Sequence, residues 1–194
     1  MHYVQAVVED VLQETVLRKL IATYRKDIQL IGVSGMRGNT YIRKNIRGYN
    51  EASEHLPHIV ITDLDSTPCA PQLINDWINF NFHPNLLFRI AEKEIEAWIL
   101  ADRTEIASYF GVPVSKIPDD TASLPDPKEF IINLARRSRK REIKDIIPQG
   151  TASQGPGYNA ILQNFVMHCW DAERAANENR SLKRTIERLN NYLR

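Results

Sequence analysis

The sequence predicts an α/β fold: a mostly parallel, four-stranded sheet flanked by helices, followed by a basic, α-helical C-terminal region. Three observations carry this reading. Over the first hundred residues, short apolar segments rich in β-branched side chains alternate with segments of helical period, the pattern of successive βαβ units with right-handed crossovers. One of them, HIVIT at 58–62, has no solvent-facing alternation, as expected of a strand covered on both faces by helices. Beyond Asp102 the strand signals stop. The 194 residues suffice for one good-sized core with a helical annex, so residues 1–102 are assigned to an α/β domain and 103–194 to a helical region packed on it.

The elements follow in order. HYVQAVVE (2–9) reads as the first strand, and in VLQETVLRKLIATYR (11–25) Val11, Leu12, Val16, Leu17 and Leu20 form a helical stripe. DIQLIGVSG is a second strand ending in glycine; after GMRGN, residues 40–55 are polar but helical, with Gly48 a weak point. HIVITDLD is the third strand, and PQLINDWINF, with Pro71 near the first turn, the next helix. NLLFRIA (85–91) supplies the fourth strand. EKEIEAWILAD (92–102) returns to a helical period, with Ile95, Trp98 and Ile99 on one stripe. RTEIASYFG is a short helix closed by Gly111, residues 112–127 are a proline-bearing connection, and 128–147 are one helix or two short ones. PQGTASQGPG is a loop. The last third holds two amphipathic helices, YNAILQNFVMHCW and SLKRTIERLNNYL, the second capped by Ser181.

Charge is unevenly spread. Residues 1–125 hold 12 Lys or Arg against 16 Asp or Glu, and residues 126–194 hold 13 against 8, about −4 and +5. An acidic front suits a cation and a basic back suits a phosphate-bearing ligand. Cys69 and Cys169 lie far apart, without metal spacing, which points to a reducing compartment. With no signal-like N-terminus and no apolar run long enough for a span, a cytoplasmic protein without a membrane partner is expected.

The third strand ends in two aspartates one residue apart, Asp63 and Asp65. At the carboxyl end of a parallel strand they project into the crevice where α/β sheets bind ligands. Two carboxylates there repel, and a divalent cation such as Mg²⁺ or Mn²⁺, which prefers oxygen ligands, relieves this. A helix cap and a turn would use the same two residues differently. Glu9, closing the first strand, lies at the same sheet edge in a parallel arrangement. Glu92, Glu94 and Glu96 follow the fourth strand; on a regular helix Glu92 and Glu96 share a side while Glu94 points elsewhere.

A first-strand Glu in VVEDVLQET, a βαβ unit and then the DxD of ITDLDS resemble the Toprim domain, the metal-binding fold of topoisomerases, primases and OLD-family nucleases. KEIEAWILAD, LPDPKEF, the GPGYN loop and SLKRTIERL are similar to a group of small bacterial Toprim-like proteins of unknown function, often encoded beside AAA-type ATPases. The resemblance implies that Glu9 acts as metal ligand or acid/base, that Asp63 and Asp65 hold Mg²⁺ or Mn²⁺, and that Glu94 and Glu96 serve a second ion. It implies that Lys128 stabilises charge on a transferring phosphate. Where many relatives have Gly after the first Glu, this chain has Asp10, an extra ligand, a helix cap or an obstacle to phosphate.

The implied reaction is metal-dependent phosphodiester hydrolysis on DNA or RNA, tRNA included, in antiphage defence beside an AAA- or ABC-type ATPase. The basic run RRSRKREIK, with Arg136, Arg137, Arg139, Lys140, Arg141 and Lys144 taken as helical, would hold the nucleic-acid backbone. Tyr158 fits a core position better than a stacking one. Two rivals are a silent Toprim-like subunit docking on an ATPase, and a haloacid-dehalogenase-type phosphatase, which DLDST also resembles. In the latter Asp63 is the nucleophile, Asp65 the general acid and Thr67 a phosphate holder.

Overall fold

All four expected strands form, β1 (His2–Val8), β2 (Ile28–Gly35), β3 (His58–Asp63) and β4 (Leu86–Ala91), in a computed structural model that describes residues 1–193. They lie in the order β2-β1-β3-β4, and every neighbouring pair is parallel. Helices α1 (Val11–Tyr24), α2 (Gly38–Ala52) and α3 (Ala70–Trp77) connect them. The chain steps from β1 to β2 on one side and resumes with β3 on the other. The switch point therefore falls between β1 and β3, and opens the crevice in which such sheets bind ligands.

Side chains divide between the two faces with period two. Val4, Ala6 and Val8 of β1, Ile59 and Ile61 of β3, and Leu87 of β4 join the larger core with α1. Val7, Val60, Phe88 and Ile90 join a smaller one with Ile42 and Ile46 of α2 and Leu73 of α3. All six residues of β3 are buried, as its unbroken apolar run requires.

Past β4 come α4 (Ile95–Leu100), α5 (Arg103–Phe110), α6 (Pro127–Arg137), α7 (Tyr158–His168), α8 (Ala172–Glu178) and α9 (Arg180–Asn191), with 3₁₀ turns at 114–116, 121–123 and 142–146. The larger core runs unbroken from Leu12 and Val16 through Trp98, Phe110, Ile131 and Phe165 to Leu189. The front and back of the chain thus share one interior. The buried Arg25 strengthens the tie: its guanidinium donates to the carbonyls of Leu189 (2.6 Å) and Tyr192 (2.5 Å), and the Tyr192 hydroxyl donates to those of His58 and Asn85. No helix among the described residues is long and apolar enough to cross a membrane.

Several local expectations need correction. Helix α4 begins at Ile95, with Glu94 at the N-cap, so Glu92 and Glu94 lie in the turn before it and helical spacing does not govern them. The basic run does not ride on one helix. Helix α6 stops at Arg137 because Ser138 turns extended and its hydroxyl donates to the Phe110 carbonyl. Asn179, not Ser181, caps α9, accepting from the Leu182 N–H. Ser181 instead accepts from the Trp98 indole at 2.6 Å. Helix α8 was not foreseen, although Asp171, which accepts from the N–H groups of Glu173 and Arg174, is a readable N-cap.

The GPGYN loop is a close-approach device. Gly155 donates to the Ile146 carbonyl (2.9 Å) and Gly157 to that of Asp145 (2.9 Å). A Cβ on Gly155 would stand 2.2 Å from the Asp145 oxygen, with only backbone to yield. Gly155→Ala is accordingly expected to lower stability by about 3 kcal/mol or more, read as a fall in melting temperature.

Candidate active site

The site is built where β1, β3 and β4 end. Glu9 follows β1 directly, and its Oε1 accepts from the Thr62 hydroxyl (2.5 Å) and the Asp63 N–H (2.7 Å). These two bonds fasten the tip of β1 to the tip of β3 and place Glu9 beside Asp63. The neighbouring Asp10 is a helix cap, its Oδ1 accepting from the N–H groups of Leu12 and Gln13 at 2.9 Å each. Of the three roles open to it, capping is the one the structure displays, and it explains why an acid is tolerated in an acidic neighbourhood. Gln13 completes the corner by accepting from the Glu9 N–H.

Beyond β3 the chain makes a tight turn in which Asp65 adopts the left-handed region, φ 49°. The Asp65 N–H donates to the carbonyl of Lys93 (2.8 Å), itself left-handed at φ 63° in the turn after β4. Met36, after β2, is a third such residue. Left-handed backbone at non-glycine residues costs of order 1 kcal/mol or more each, and such strain gathers at functional sites. Three turns at one sheet edge carry it here. Neither aspartate caps a helix: the N-cap of α3 is Cys69.

Asp63 is buried, with 9 % of its surface exposed, and its Oδ1 has no hydrogen-bond partner among the described residues. Burial first, then the charges of Glu9, Glu96, Asp10 and Asp65, drive its pKa well above the ordinary value. Asp65 is half-buried; burial raises its pKa against the opposing bond from the Asn39 amide to its Oδ2 (2.5 Å). Glu9 is raised chiefly by burial as well. Every group is displaced in the direction that opposes a bare negative charge.

The E-x-E-x-W element divides its work. Glu94 faces the N-terminus of α6, where its Oε2 accepts from the Lys128 N–H (2.9 Å); burial still raises its pKa. That helix end is prepared by Asp126, which caps it through the Glu129 N–H, and by Pro127 in the first turn. Glu96 is 5 % exposed and accepts from the Tyr158 hydroxyl at 2.8 Å, while burial pushes its pKa up to about 7. Trp98 is wholly buried. Tyr158 lies in the core, as expected, and the Lys128 ammonium stands 5.2 Å from its ring centroid. Lys128 thus sits at the rim of the acidic cluster.

The structure therefore brings Glu9, Asp63, Asp65, Glu94 and Glu96 within electrostatic reach of one another, with Lys128 beside them. No ion pair joins a Lys or Arg to any of the five among the described residues. Their chemistry fits a hard divalent cation, since all donors are carboxylate oxygens and Asp63 Oδ1 lacks a partner. The oxygens are not gathered as a finished cage: no three His, Cys, Asp or Glu side chains among the described residues are grouped to hold a metal ion. Sequence reading missed Thr62, Asn39 and Gln13, polar neighbours that orient the acids. The GMRGN loop was the only signal for Asn39.

The basic run is dispersed. Lys140 donates to the Ser108 and Tyr109 carbonyls at the end of α5, and Lys144 to those of Ala135 and Arg136 at the end of α6. Arg136 pairs with Glu129 at 3.4 Å. Arg137 and Arg139 line a cavity of about 560 Å³ with Lys116, and Arg141 is exposed. No protein-family model, curated protein or solved structure matches this chain.

Proposed function

We propose that the protein is a metal-dependent phosphodiesterase acting on nucleic acid, as its resemblance to Toprim domains implies. The observation that carries this reading is the buried, unpartnered Oδ1 of Asp63 at the switch point, ringed by Glu9, Asp65, Glu96 and Asp10. As a bare carboxylate such a group is costly, and a cation relieves that cost. Mg²⁺ or Mn²⁺ held by Glu9, Asp63 and Asp65, with Glu94 available to a second ion, would supply an activated water and charge neutralisation. Glu96 sits behind these acids and positions them through its charge and its bond to Tyr158. Lys128, directed by the cap of α6 and the Tyr158 ring, neutralises charge on the phosphate. Its fixed backbone contact to Glu94 keeps cation and acids in register.

The same arrangement disfavours the phosphatase rival. A nucleophilic Asp63 needs open access to phosphorus, and this one is almost wholly enclosed. Titration calorimetry with Mn²⁺ and Mg²⁺ tests the proposal on wild type and on the Asp63→Ala, Asp65→Ala double variant, alongside cleavage of plasmid DNA and total tRNA. Binding at micromolar to millimolar metal and metal-dependent cutting, both lost in the variant, are expected. Wild-type protein that binds no metal and cuts neither substrate would leave the scaffold as a docking subunit for an ATPase.

A further inference from the structure

A second feature opens at the same edge. Two adjoining cavities of about 480 and 280 Å³ share Ala70, Pro71, Glu92 and Arg184 as walls and so form one trench. At one end the trench is lined by Leu64, between Asp63 and Asp65, and by Lys93, whose carbonyl holds the Asp65 N–H. From there it follows β4, an edge strand, between α3 and α9. Four cations line it: Lys93, Arg89, Arg184 and Arg188. Two carboxylates, Glu92 and Glu187, line it too, leaving a net positive wall.

None of the four cations forms an ion pair among the described residues. Arg89 is the informative one. It is half-buried on the α9 face of β4, and its one side-chain bond among the described residues goes to the Thr185 hydroxyl at 3.2 Å. Its neighbours are like charges: burial, then Arg188 and Arg184, lower its pKa. Three neighbouring guanidinium groups, none of them paired to a carboxylate among the described residues, are arranged for an external anion that accepts forked hydrogen bonds. Arg184 and Arg188 stand one helical turn apart on the exposed side of α9, where they can contact successive phosphates.

We infer that this trench is the track for the sugar–phosphate backbone of the nucleic acid, leading it from Arg188, Arg89 and Arg184 past Lys93 to the acidic cluster. The inference rests on the phosphodiesterase reading, because it takes the occupant of the trench to be what the acids act on. It moves the principal phosphate contacts away from residues 136–144, where three of the six cations, Arg136, Lys140 and Lys144, serve helix ends or a neighbouring glutamate. The contacts are to backbone, so affinity depends on salt and little on base sequence.

The test measures fluorescence anisotropy of labelled single-stranded and duplex oligonucleotides over a salt series, with Ca²⁺ in place of Mg²⁺. The Arg184→Ala, Arg188→Ala double variant should bind roughly tenfold or more weakly, and its slope of log affinity against log salt should fall by about 1.4 for single strands or about 1.8 for duplex. Replacing both by Lys should keep most of the slope, and unchanged circular dichroism separates lost contacts from lost fold. Wild-type affinity in the Ala variant overturns the inference, more so if Arg137→Ala with Arg139→Ala causes the loss instead. Binding of poly-glutamate through these arginines, with no binding of oligonucleotide, overturns it in favour of an acidic protein partner. Metal-dependent hydrolysis of bis(p-nitrophenyl) phosphate by wild type reports on the acids independently. If that is absent while oligonucleotide binding depends on Arg184 and Arg188, the trench stands and the hydrolytic reading falls.

Discussion

Asp63→Asn is expected to make the metal-free protein more stable near pH 8 while lowering metal-dependent cleavage by roughly a thousandfold. The two effects share one cause. In the folded chain the Asp63 carboxylate is enclosed, has an oxygen without a partner and faces Glu9, Glu96, Asp10 and Asp65. Asparagine keeps the shape and removes the charge, relieving a cost of about 1–3 kcal/mol. The gain is read as a higher melting temperature in EDTA. With excess Mn²⁺ the order should reverse, since a ligand bound only to the folded wild type raises its stability by mass action. A variant equally stable or less stable in EDTA would mean that the surroundings of Asp63 already satisfy its charge.

The second large effect is in the pH dependence of the metal-free fold. Glu9, Asp63, Asp65, Glu94 and Glu96 all have folded pKa values raised, first of all by burial. The folded state therefore holds protons that the unfolded chain has released. The stability these groups contribute is full below their unfolded values and is lost as pH rises through the folded ones. Glu96 marks the window, from 4.5 to about 7. At about 1.4 kcal/mol per pH unit this amounts to about 3 kcal/mol.

Two groups act in the opposite sense. The Arg25 guanidinium holds Asp27 below the carboxylate range, so that its contribution is lost in strong acid. Burial lowers His58 below its unfolded value, so the unfolded chain takes up the proton first and the contribution of the neutral imidazole is lost as pH falls. Glu96→Gln isolates the group: glutamine still accepts from Tyr158 but cannot ionise. Its melting temperature should match wild type near pH 4.5, exceed it near pH 8, and vary less between the two. Parallel curves for the two proteins would show that Glu96 does not titrate in this range.

Much of this architecture is legible along the chain, and particular residues show why. An apolar run without alternation, such as HIVIT, has few homes other than an inner parallel strand, and an inner strand fixes where Asp63 must emerge. Period two on the strands and the helical stripe of α1 are local properties, set by geometry within a few residues. The acids at the strand ends followed from parallel topology alone. Capping was less legible where two residues compete, as Asn179 and Ser181 do, because whether the Ser181 hydroxyl is free depends on Trp98, more than 80 residues away.

Spacing and the chemistry of single residues set the βα alternation, the parallel sheet and the identity of the acids at its edge. How those acids differ was settled by packing. Asp10 became a cap, Asp63 a buried orphan, and Glu96 an enclosed group tied to Tyr158. It also decided which cations are free. A contiguous run at 136–144 looked like the basic surface, yet carbonyls at the ends of α5 and α6 engage Lys140 and Lys144. Arg89, Lys93, Arg184 and Arg188, scattered over a hundred positions, line one trench. Local spacing cannot reveal such a juxtaposition, because burial and like-charge proximity are properties of the packed chain.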